Sequence, residues 1–493
     1  MLLGSNYGSA VISIVFSMVL LRLLTRTEYA VGAVLDVLIS LMAFTSFGLN
    51  TVFLQRAPAG LCSESDRSEA LGLIKLAILV RFGVACLVAL LMIVLSQQIS
   101  ILFLKTTFYS MHVRLLAFGA ISAAMLESFM HICQAAQDFG RLSRWMFWTN
   151  IWRSPAGLAL FLIFGLWGYL LGIVGFIVLS TCIIGWKVRN YWFNNVPIAP
   201  LWPTIRYGFP YYLRTFFRFG FLQADQMLVA ILLTPDILAM YAVARRFVGY
   251  INQATEALLQ PVLMRVTALR ETTDNSIAQV QDKLIRYIPI TIISLSTCVA
   301  VSSPWLMRII GGAKYADGWP LLMLLCLAQI CYLFYGMSAL YVFALKPPRA
   351  TLVVDAIVAT ISLVITPVLI LVFKQYGIAF GQMAGFAGGW LFSQHLLRQY
   401  TELHMKWRLL LKLILPIIPP VCIIAGGQVI FFSLFIVPLY IVAGVIIFLW
   451  ILGRRLELAE WMTLQRAVPY RLAKLLDLVY RFTAKRDNFV VVR

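Results

Sequence analysis

The chain has 493 residues, of which 61% are hydrophobic and only 12% are charged, and its formal net charge is +20. A soluble domain is about half apolar and about one quarter charged, so this composition excludes an ordinary soluble enzyme. The basic residues lie in short loops between apolar runs, not on one face of a soluble domain, which excludes a nucleic-acid-binding protein. The eight cysteines form no CxxC pair, so neither a disulfide framework nor a zinc site is predicted.

Apolar runs of about 20 residues, the length that crosses a bilayer, recur along the whole chain. They predict an all-α polytopic membrane protein with about 14 transmembrane helices, with about 12 or 13 as the alternatives. The first run is expected to remain as a span and not to be cleaved as a signal. The predicted spans cover residues 3–24, 30–54, 72–96, 113–136, 145–165, 167–186, 207–233, 238–263, 285–309, 319–343, 351–373, 376–397, 409–428 and 431–452.

Lysine and arginine are concentrated in alternate loops and in the C-terminal tail. If the N-terminus is cytoplasmic, most of the 40 basic residues lie on the inner side, as the positive-inside rule requires. We therefore predict a multi-pass protein of the cell (inner) membrane with both termini in the cytoplasm.

Part of the first half of the chain recurs 209 residues later. Leu23–Thr25 matches Leu232–Thr234, and Arg56 matches Arg265. Six predicted spans separate the copies, so both copies have the same orientation, as in parallel repeats related by an axis along the membrane normal. We predict two six-helix lobes in a parallel pseudo-twofold repeat, two extra helices and a tail, with the boundaries 1–190, 191–400, 401–453 and 454–493.

The tail alternates basic and apolar residues at helical spacing. A basic amphipathic helix of this kind suits the anionic inner leaflet. A solvated terminal helix without a partner is the alternative.

Three segments resemble the polysaccharide (oligosaccharide-lipid) flippase family, which is Wzx-like and belongs to the multidrug/oligosaccharidyl-lipid/polysaccharide exporter superfamily. They are Leu20–Pro58, Tyr207–Arg246 and Gly312–Leu324. The second segment has the family's Tyr-Gly-x-Pro start, an aspartate late in the helix and the motif Tyr241–Ala244. The resemblance implies two lobes around a central cavity that is lined by spans 1, 2, 7 and 8.

The resemblance also implies a function. Such a flippase moves a lipid-(di)phosphate-linked oligosaccharide from the cytoplasmic to the outer leaflet by alternating access, for O-antigen, capsule or exopolysaccharide synthesis. The expected partners are an undecaprenyl-diphosphate-type lipid-linked oligosaccharide, membrane lipids and glycan polymerase or export proteins, without nucleic acid. No enzymatic activity and no cofactor are expected, and the coupling ion would be H⁺ or Na⁺.

Two other functions compete with this interpretation. A multidrug–cation antiporter of the same superfamily would favour a cavity rich in carboxylates, whereas predicted spans 7 and 8 carry more arginines than carboxylates. A membrane-embedded glycan polymerase or transferase usually needs a sizeable extramembrane domain, and the sequence has no nucleotide-binding loop or metal-ligand cluster.

Charged residues inside the spans are the candidate site, because each costs about 2.5–3.5 kcal/mol at the bilayer centre. Span 7 places three of them within about 40° on one face, and span 8 places an arginine and a glutamate on one face. Guanidinium groups bind diphosphates through paired, charge-assisted hydrogen bonds. We predict that the headgroup is held by Arg218 and Arg245, assisted by Arg214 and Arg246, with Asp225, Asp36 and Glu256 in charge balance or coupling.

Structural roles remain open for several of these residues. Arg214 would snorkel to the inner surface, Asp225 would neutralise an arginine, and Asp36 would pair with Arg22 or Arg245.

Two further predictions concern other charges. Glu127, His131 and Gln134 share a face, which indicates a proton relay or a hydrogen-bond cluster between the lobes; Arg81 and Asp355 are expected to be anchors near the inner ends of their spans, and Arg153 is ambiguous.

Overall fold

The computed structural model describes residues 16, 18–62, 66–268, 288–289, 291–346 and 348–398. Within these ranges the secondary structure is helical and contains no strand, which confirms the predicted all-α class. Most of predicted span 1, spans 13 and 14 and the basic tail lie outside the described residues.

The helices are numbered in chain order. The first seven are α1 Arg26–Ser40, α2 Leu49–Cys62, α3 Arg67–Val94, α4 Ser96–Leu104, α5 Ser110–Ala135, α6 Phe139–Lys187 and α7 Arg189–Trp192. The others are α8 Leu201–Leu222, α9 Ala224–Leu232, α10 Pro235–Ala268, α11 Thr291–Val301, α12 Ser303–Gly311, α13 Trp319–Leu345, α14 Pro348–Phe373 and α15 Gly377–Leu396. Six stretches of the described chain are long and apolar enough to cross a membrane, or seven if α11 and α12, which are bent by 67°, form one span. The count of about 14 spans stays a prediction.

The two copies of the sequence repeat begin a helix at equivalent positions. α1 begins at Arg26, where Thr25 and Glu28 form a reciprocal capping box. α10 begins at Pro235, 209 residues later, where the fixed φ of proline suits the first position of a helix. Equivalent positions in the two copies of the repeat therefore both begin a helix.

Arg26–Ser46 is long and apolar enough to cross a membrane, so the region of predicted span 2 contains a candidate span, but it is not one continuous α-helix. α1 passes into a 3-10 segment, Leu41–Ser46, and the backbone then turns left-handed at Phe47 (φ 45°) and Gly48 (φ 77°) before α2 begins. A left-handed conformation costs least at glycine, because it has no Cβ to clash. The break leaves the backbone of Gly48 open to contact with another helix.

Two of the long apolar stretches, Gly140–Lys187 and Arg349–Leu396, have 48 residues each, about twice the length needed to cross a bilayer. Each is a hairpin. The first reverses at Gly165, whose backbone (φ 60°, ψ −142°) lies in a region that only glycine adopts readily. The second reverses at the 3-10 turn Lys374–Tyr376. The first reversal lies at the predicted end of span 5, directly before span 6, and the second lies at the junction of predicted spans 11 and 12.

The second hairpin is packed through a stripe of small residues on α15. Gly377, Gly381, Gly385 and Gly389 recur at every fourth position and face α14. A Cβ at Gly381 would overlap Thr366. Within a membrane, close van der Waals contact between helices replaces the hydrophobic effect as the main force for packing. The glycine stripe therefore allows α14 and α15 to approach closely.

Large apolar side chains cover much of the outer surface. Exposed fractions reach 58% at Leu90, 66% at Val94 and 78% at Leu371. A soluble protein rarely exposes such contiguous apolar surface, whereas hydrocarbon solvates it without cost. The chain is thus a multi-pass membrane protein.

The chain forms two compact units. The first contains Met1–Tyr250 and Met307–Leu396, and the second contains Ile251–Leu306 and Leu397–Arg493. The described part of the second unit includes the end of α10, all of α11 and the start of α12. The predicted boundaries of the lobes and of the tail stay predictions.

Candidate functional site

Predicted span 7 is broken at Gln223, whose backbone (φ −134°, ψ −28°) is not helical. Arg214 and Arg218 lie on α8, whereas Asp225 lies in the first turn of α9. The predicted stripe of all three residues on one continuous helix is therefore wrong. An acidic side chain in a first helical turn is favoured by the positive end of the helix dipole.

Asp225 is the centre of a buried polar cluster. Nη1 of Arg245, on α10, lies 2.6 Å from Oδ1 of Asp225, and the side chains are 22% and 6% exposed. Tyr241 donates its hydroxyl to Oδ2, and Gln382 on α15 donates to the same oxygen at 2.5 Å. The interpretation that Asp225 neutralises an arginine agrees with this geometry. Arg245, a predicted ligand of the headgroup, is therefore paired with this carboxylate in the present conformation.

A second cluster joins α8 to α13 and α14. Nε of Arg214 lies 3.0 Å from Oδ2 of Asp355, and its guanidinium also lies 4.6 Å above the ring of Phe343. Tyr335 donates to the other oxygen of Asp355 at 2.5 Å and interacts electrostatically with the half-buried Arg218. The Asp355 side chain is 3% exposed, so the prediction that it is an anchor was wrong. Arg214 pairs with it and does not snorkel.

Arg246 lies in a cluster of tyrosines. It interacts electrostatically with Tyr29 on α1, with Tyr169 on α6 and with Tyr250 on its own helix. α1 and α6 belong to the predicted first lobe, and α10 belongs to the second. Arg246 therefore lies beside tyrosines of the opposite predicted lobe.

Of the remaining coupling candidates, Asp36 lies beside the tyrosine cluster of Arg246, since it interacts electrostatically with Tyr29 and Tyr169. Oδ1 of Asp36 is 3.3 Å from Nη2 of Arg153 on α6, and the side chains are 64% and 42% exposed. The predicted pairing of Asp36 with Arg22 or Arg245 was therefore wrong. Glu256 lies 11 residues after Arg245 on α10, with an exposed side chain, in the part of the helix that belongs to the second unit.

Arg81 is the most deeply buried cation of the described residues, with none of its side chain exposed. It lies midway along α3 and binds Glu127 of α5 at 2.6 Å, Ser128 at 3.1 Å and the carbonyl of Met42 at 3.5 Å. The prediction that Arg81 is an anchor near the inner end of its span was wrong. Glu127 pairs with Arg81 inside one predicted lobe, so the predicted cluster between the lobes was wrong. Glu127 also interacts electrostatically with His131, and the relay stays a prediction.

The predicted lobes contact each other near the predicted cytoplasmic end. The backbones of Gly48 and Gly208 lie so close that a Cβ at Gly48 would overlap the carbonyl group of Gly208. Beside them, the rings of Phe47 and Tyr212 stack with centroids 5.1 Å apart. Glycine is required at position 48, because a side chain there would separate α2 from α8.

The lobes also contact each other near the predicted outer end. Nζ of Lys314 donates to the carbonyl of Leu24 at 2.5 Å. Nζ of Lys105 donates to the carbonyl of Ile231 at 2.6 Å. In this conformation the predicted lobes are therefore held together toward both membrane surfaces.

Sequence reasoning missed the uncharged members of these clusters. Tyr241 was noted as part of a motif without a role, and Gln382, Tyr335 and Tyr169 were not considered. A glutamine inside an apolar helix is itself a signal, since polar groups at bilayer depth need a partner. Tyrosine gives a weaker signal, because its ring is apolar and it occurs at many positions in membrane helices.

Comparisons with known proteins agree with this architecture. A family model described as "Polysaccharide biosynthesis protein" matches residues 19–320. Among solved structures, the lipid II flippase MurJ in an inward closed conformation is similar with a TM-score of 0.72 and 13% identity, over 91% of this chain and 97% of that chain. A search of curated protein sequences found no match.

Multidrug transporters share the fold more distantly. An inward-facing MATE family transporter of the MOP superfamily has a TM-score of 0.62 and 14% identity, over 80% of this chain and 96% of that chain. A variant of the Vibrio cholerae MATE transporter VcmN has a TM-score of 0.55 and 17% identity, over 82% and 97%. At these identities the likeness establishes the fold, and the family model covers more than half of the chain. The chain has the MOP-superfamily fold and belongs to the polysaccharide biosynthesis protein family.

Proposed function

We propose that the protein is a flippase that moves a lipid-(di)phosphate-linked oligosaccharide from the cytoplasmic to the outer leaflet for polysaccharide synthesis. Membership of the polysaccharide biosynthesis family supports the pathway class, and the likeness to a lipid II flippase supports the type of transport. The substrate is a glycan on an undecaprenyl-diphosphate-type lipid. The protein transports this substrate and does not modify it, and glycan polymerase or export proteins receive it.

One observation carries this proposal: α8 and α10 hold four arginines within predicted spans 7 and 8, and one of them interacts with the opposite predicted lobe. Arg246 on α10 interacts electrostatically with Tyr29 on α1, which supports a position between the lobes. Arg218 and Arg245, assisted by Arg214 and Arg246, bind the diphosphate. Guanidinium groups suit this role because their planar donor pairs match phosphate oxygens.

Transport proceeds by alternating access, in which the two lobes rock about the bound headgroup. The contacts of Gly48 with Gly208 and of Lys314 with Leu24, toward opposite membrane surfaces, suit the two gates of such a cycle. Opening one gate while the other stays closed exposes the headgroup to one leaflet at a time.

A proton or Na⁺ gradient drives the cycle through Asp36, Asp225 or Glu256. Flipping is measured in vesicles while the proton gradient and the Na⁺ gradient are collapsed separately. Coupling predicts that one treatment stops accumulation in the far leaflet. Transport that persists under both treatments would instead indicate diffusion down the substrate's own gradient.

The protein lies in the inner membrane with both termini in the cytoplasm. Reporter fusions test this topology at Arg493 and within the loop 105–110. A periplasm-active reporter is expected to work in the loop and to fail at Arg493. The reverse pattern would contradict the orientation.

The decisive experiment measures glycan export by Arg218→Lys, Arg218→Ala and Arg245→Ala at equal membrane levels. Both alanine variants are expected to lose export, and Arg218→Lys is also expected to lose most of it, because lysine cannot form a bidentate contact. Arg141→Ala is the matched control, since this arginine forms a half-exposed pair with Asp138. Wild-type export from both alanine variants at the candidate site would refute the proposal.

The likeness to MATE transporters favours one second candidate, a multidrug–cation antiporter. The two functions differ in the charge of the substrate. An antiporter is expected to bind cationic drugs and to protect cells from them, whereas the flippase is expected to leave drug resistance unchanged and to accumulate lipid-linked glycan on the inner leaflet when it is deleted.

A further inference from the structure

The carboxylate of Asp225 is saturated with hydrogen-bond donors. Oδ1 accepts from Nη1 of Arg245 at 2.6 Å and from the backbone N–H of Gln226 at 2.7 Å. Oδ2 accepts from the hydroxyl of Tyr241 and from Nε2 of Gln382 at 2.5 Å. An ionised carboxylate has about four lone-pair positions, and here each has a donor. In this conformation Asp225 therefore has no position left for a proton or a metal ion.

Arg245 is the only cation among these four donors, so it is the counter-charge of Asp225. The same Nη1 atom also donates to Oε1 of Gln226 at 3.2 Å. Gln226 in turn donates from Nε2 to the carbonyl of Ala33 on α1 at 2.8 Å. The guanidinium of Arg245 thus stabilises both a buried charge and the side chain that connects α9 to the opposite lobe.

We infer that Asp225 and Arg245 form a charge-exchange switch, in which the substrate diphosphate takes Arg245 from Asp225 and Asp225 takes up one proton. This inference rests on the proposed function and defines how the same site is coupled. The ion pair between Arg245 and Asp225 breaks, an ion pair between Arg245 and a phosphate oxygen forms, and one proton moves from water to the released carboxylate. The total charge buried around Asp225 is then unchanged.

Protonation follows because a buried carboxylate without a counter-charge is unfavourable. Tyr241 is the other titratable group in contact with Asp225. The charged groups named above on the helices packed against α9 contact other groups. On α1, Asp36 pairs with Arg153 of α6, and on α14, Asp355 pairs with Arg214 of α8. Lys105, directly after α4, donates to the carbonyl of Ile231, and Arg218 on α8 lies near Tyr335. None of these cations contacts Asp225 within the described residues.

The exchange also loosens a contact between the lobes. When Arg245 leaves, Gln226 loses one of its two side-chain partners, and its bond to Ala33 is free to rearrange. Capture of the headgroup is thereby connected to movement of α9 relative to α1. A substrate without a diphosphate does not displace Arg245 and leaves the contact intact.

The test measures protons taken up when purified protein in detergent micelles at pH 8 binds farnesyl diphosphate. Calorimetric titrations in two buffers of different ionisation enthalpy give the number of protons per ligand. We expect about one proton for the wild type, and a dissociation constant that rises about tenfold per pH unit as protons become scarcer. Asp225→Asn is expected to bind without proton uptake. Asp138→Asn, a surface carboxylate variant, is expected to match the wild type.

Two results would overturn the switch while leaving the proposed function intact. One is wild-type binding without proton uptake, and the other is uptake that persists in Asp225→Asn. Failure of the wild type to bind farnesyl diphosphate would overturn the proposed function together with the switch. If Asp225→Asn does not fold, the pH dependence of wild-type affinity decides, because affinity independent of pH excludes a linked proton.

Discussion

Removal of Glu127 is expected to destabilise the protein more than removal of its partner Arg81. None of the Arg81 side chain is exposed, whereas 49% of the Glu127 side chain is. In Glu127→Ala, Arg81 keeps its charge, because a guanidinium group does not deprotonate in proteins. Leaving one member of a buried ion pair without its partner costs about 3–5 kcal/mol. We expect a loss of this size in the free energy of unfolding.

Arg81→Met is expected to cost less. The carboxylate that remains is half-exposed, and a proton can neutralise it. Methionine refills part of the apolar volume, and the main loss is the hydrogen bonds to Ser128 and to the carbonyl of Met42, about 1–2 kcal/mol. The two variants should therefore differ by about 2 kcal/mol, which is about 30-fold in the unfolding equilibrium constant.

Unfolding is followed by tryptophan fluorescence during titration of purified protein with SDS in mixed micelles. Arg153→Met is the matched control, because its pair with Asp36 is largely exposed, and it is expected to cost less than about 1 kcal/mol. The double variant Arg81→Met/Glu127→Gln should recover most of the loss seen in Glu127→Ala. If Arg81→Met destabilises the protein as much as Glu127→Ala or more, the reasoning is refuted. The unpaired, buried charge of Arg81 would then not be the larger of the two energetic costs.

Three further predictions concern packing and movement. Gly381→Leu should sharply reduce the amount of folded protein in the membrane, because the new side chain meets α14, whereas Gly83→Leu, at a position open to solvent or lipid, should not; equal yields measured by fluorescence-detected gel filtration would contradict this. Phe47→Cys and Tyr212→Cys are combined in a background without native cysteines, and the two cysteines are joined by a short reducible crosslinker. The crosslink should block export until a reductant is added. Export by the crosslinked protein would exclude a gate at Phe47 and Tyr212. Lys75→Ala should make the segment after α7 more sensitive to protease, because Lys75 Nζ donates to two carbonyls of that segment at 2.8 and 3.3 Å; an unchanged rate of cleavage would count against this role.

The sequence was sufficient for the class of the protein, and the two-lobe repeat stays a prediction. Hydrophobic runs of bilayer length predict membrane helices because an unsatisfied backbone is too costly in hydrocarbon. The repeat was detected from identical residues 209 positions apart, such as Thr25 and Thr234, and a helix begins directly after each of these two residues. The hairpin reversal at Gly165 was also close to prediction, because a glycine between two apolar runs favours a turn.

Tertiary structure decided the partners of the buried charges. Helical periodicity shows which face a residue shares with its own helix, but it does not show which helix packs against that face. Residue spacing alone therefore did not indicate three ion pairs that the structure contains. Asp36 pairs with Arg153, the buried Arg81 pairs with Glu127, and the buried Asp355 pairs with Arg214.

Tertiary structure also decided where predicted spans break. Hydropathy averages over a window, so a single non-helical residue inside an apolar run leaves no trace in it. The break at Gln223 leaves the carbonyl of Leu222 to accept a hydrogen bond from Arg245, which compensates for a lost backbone hydrogen bond. The break at Gly48 brings its backbone against that of Gly208. Residues distant in sequence thus meet the chain at each break.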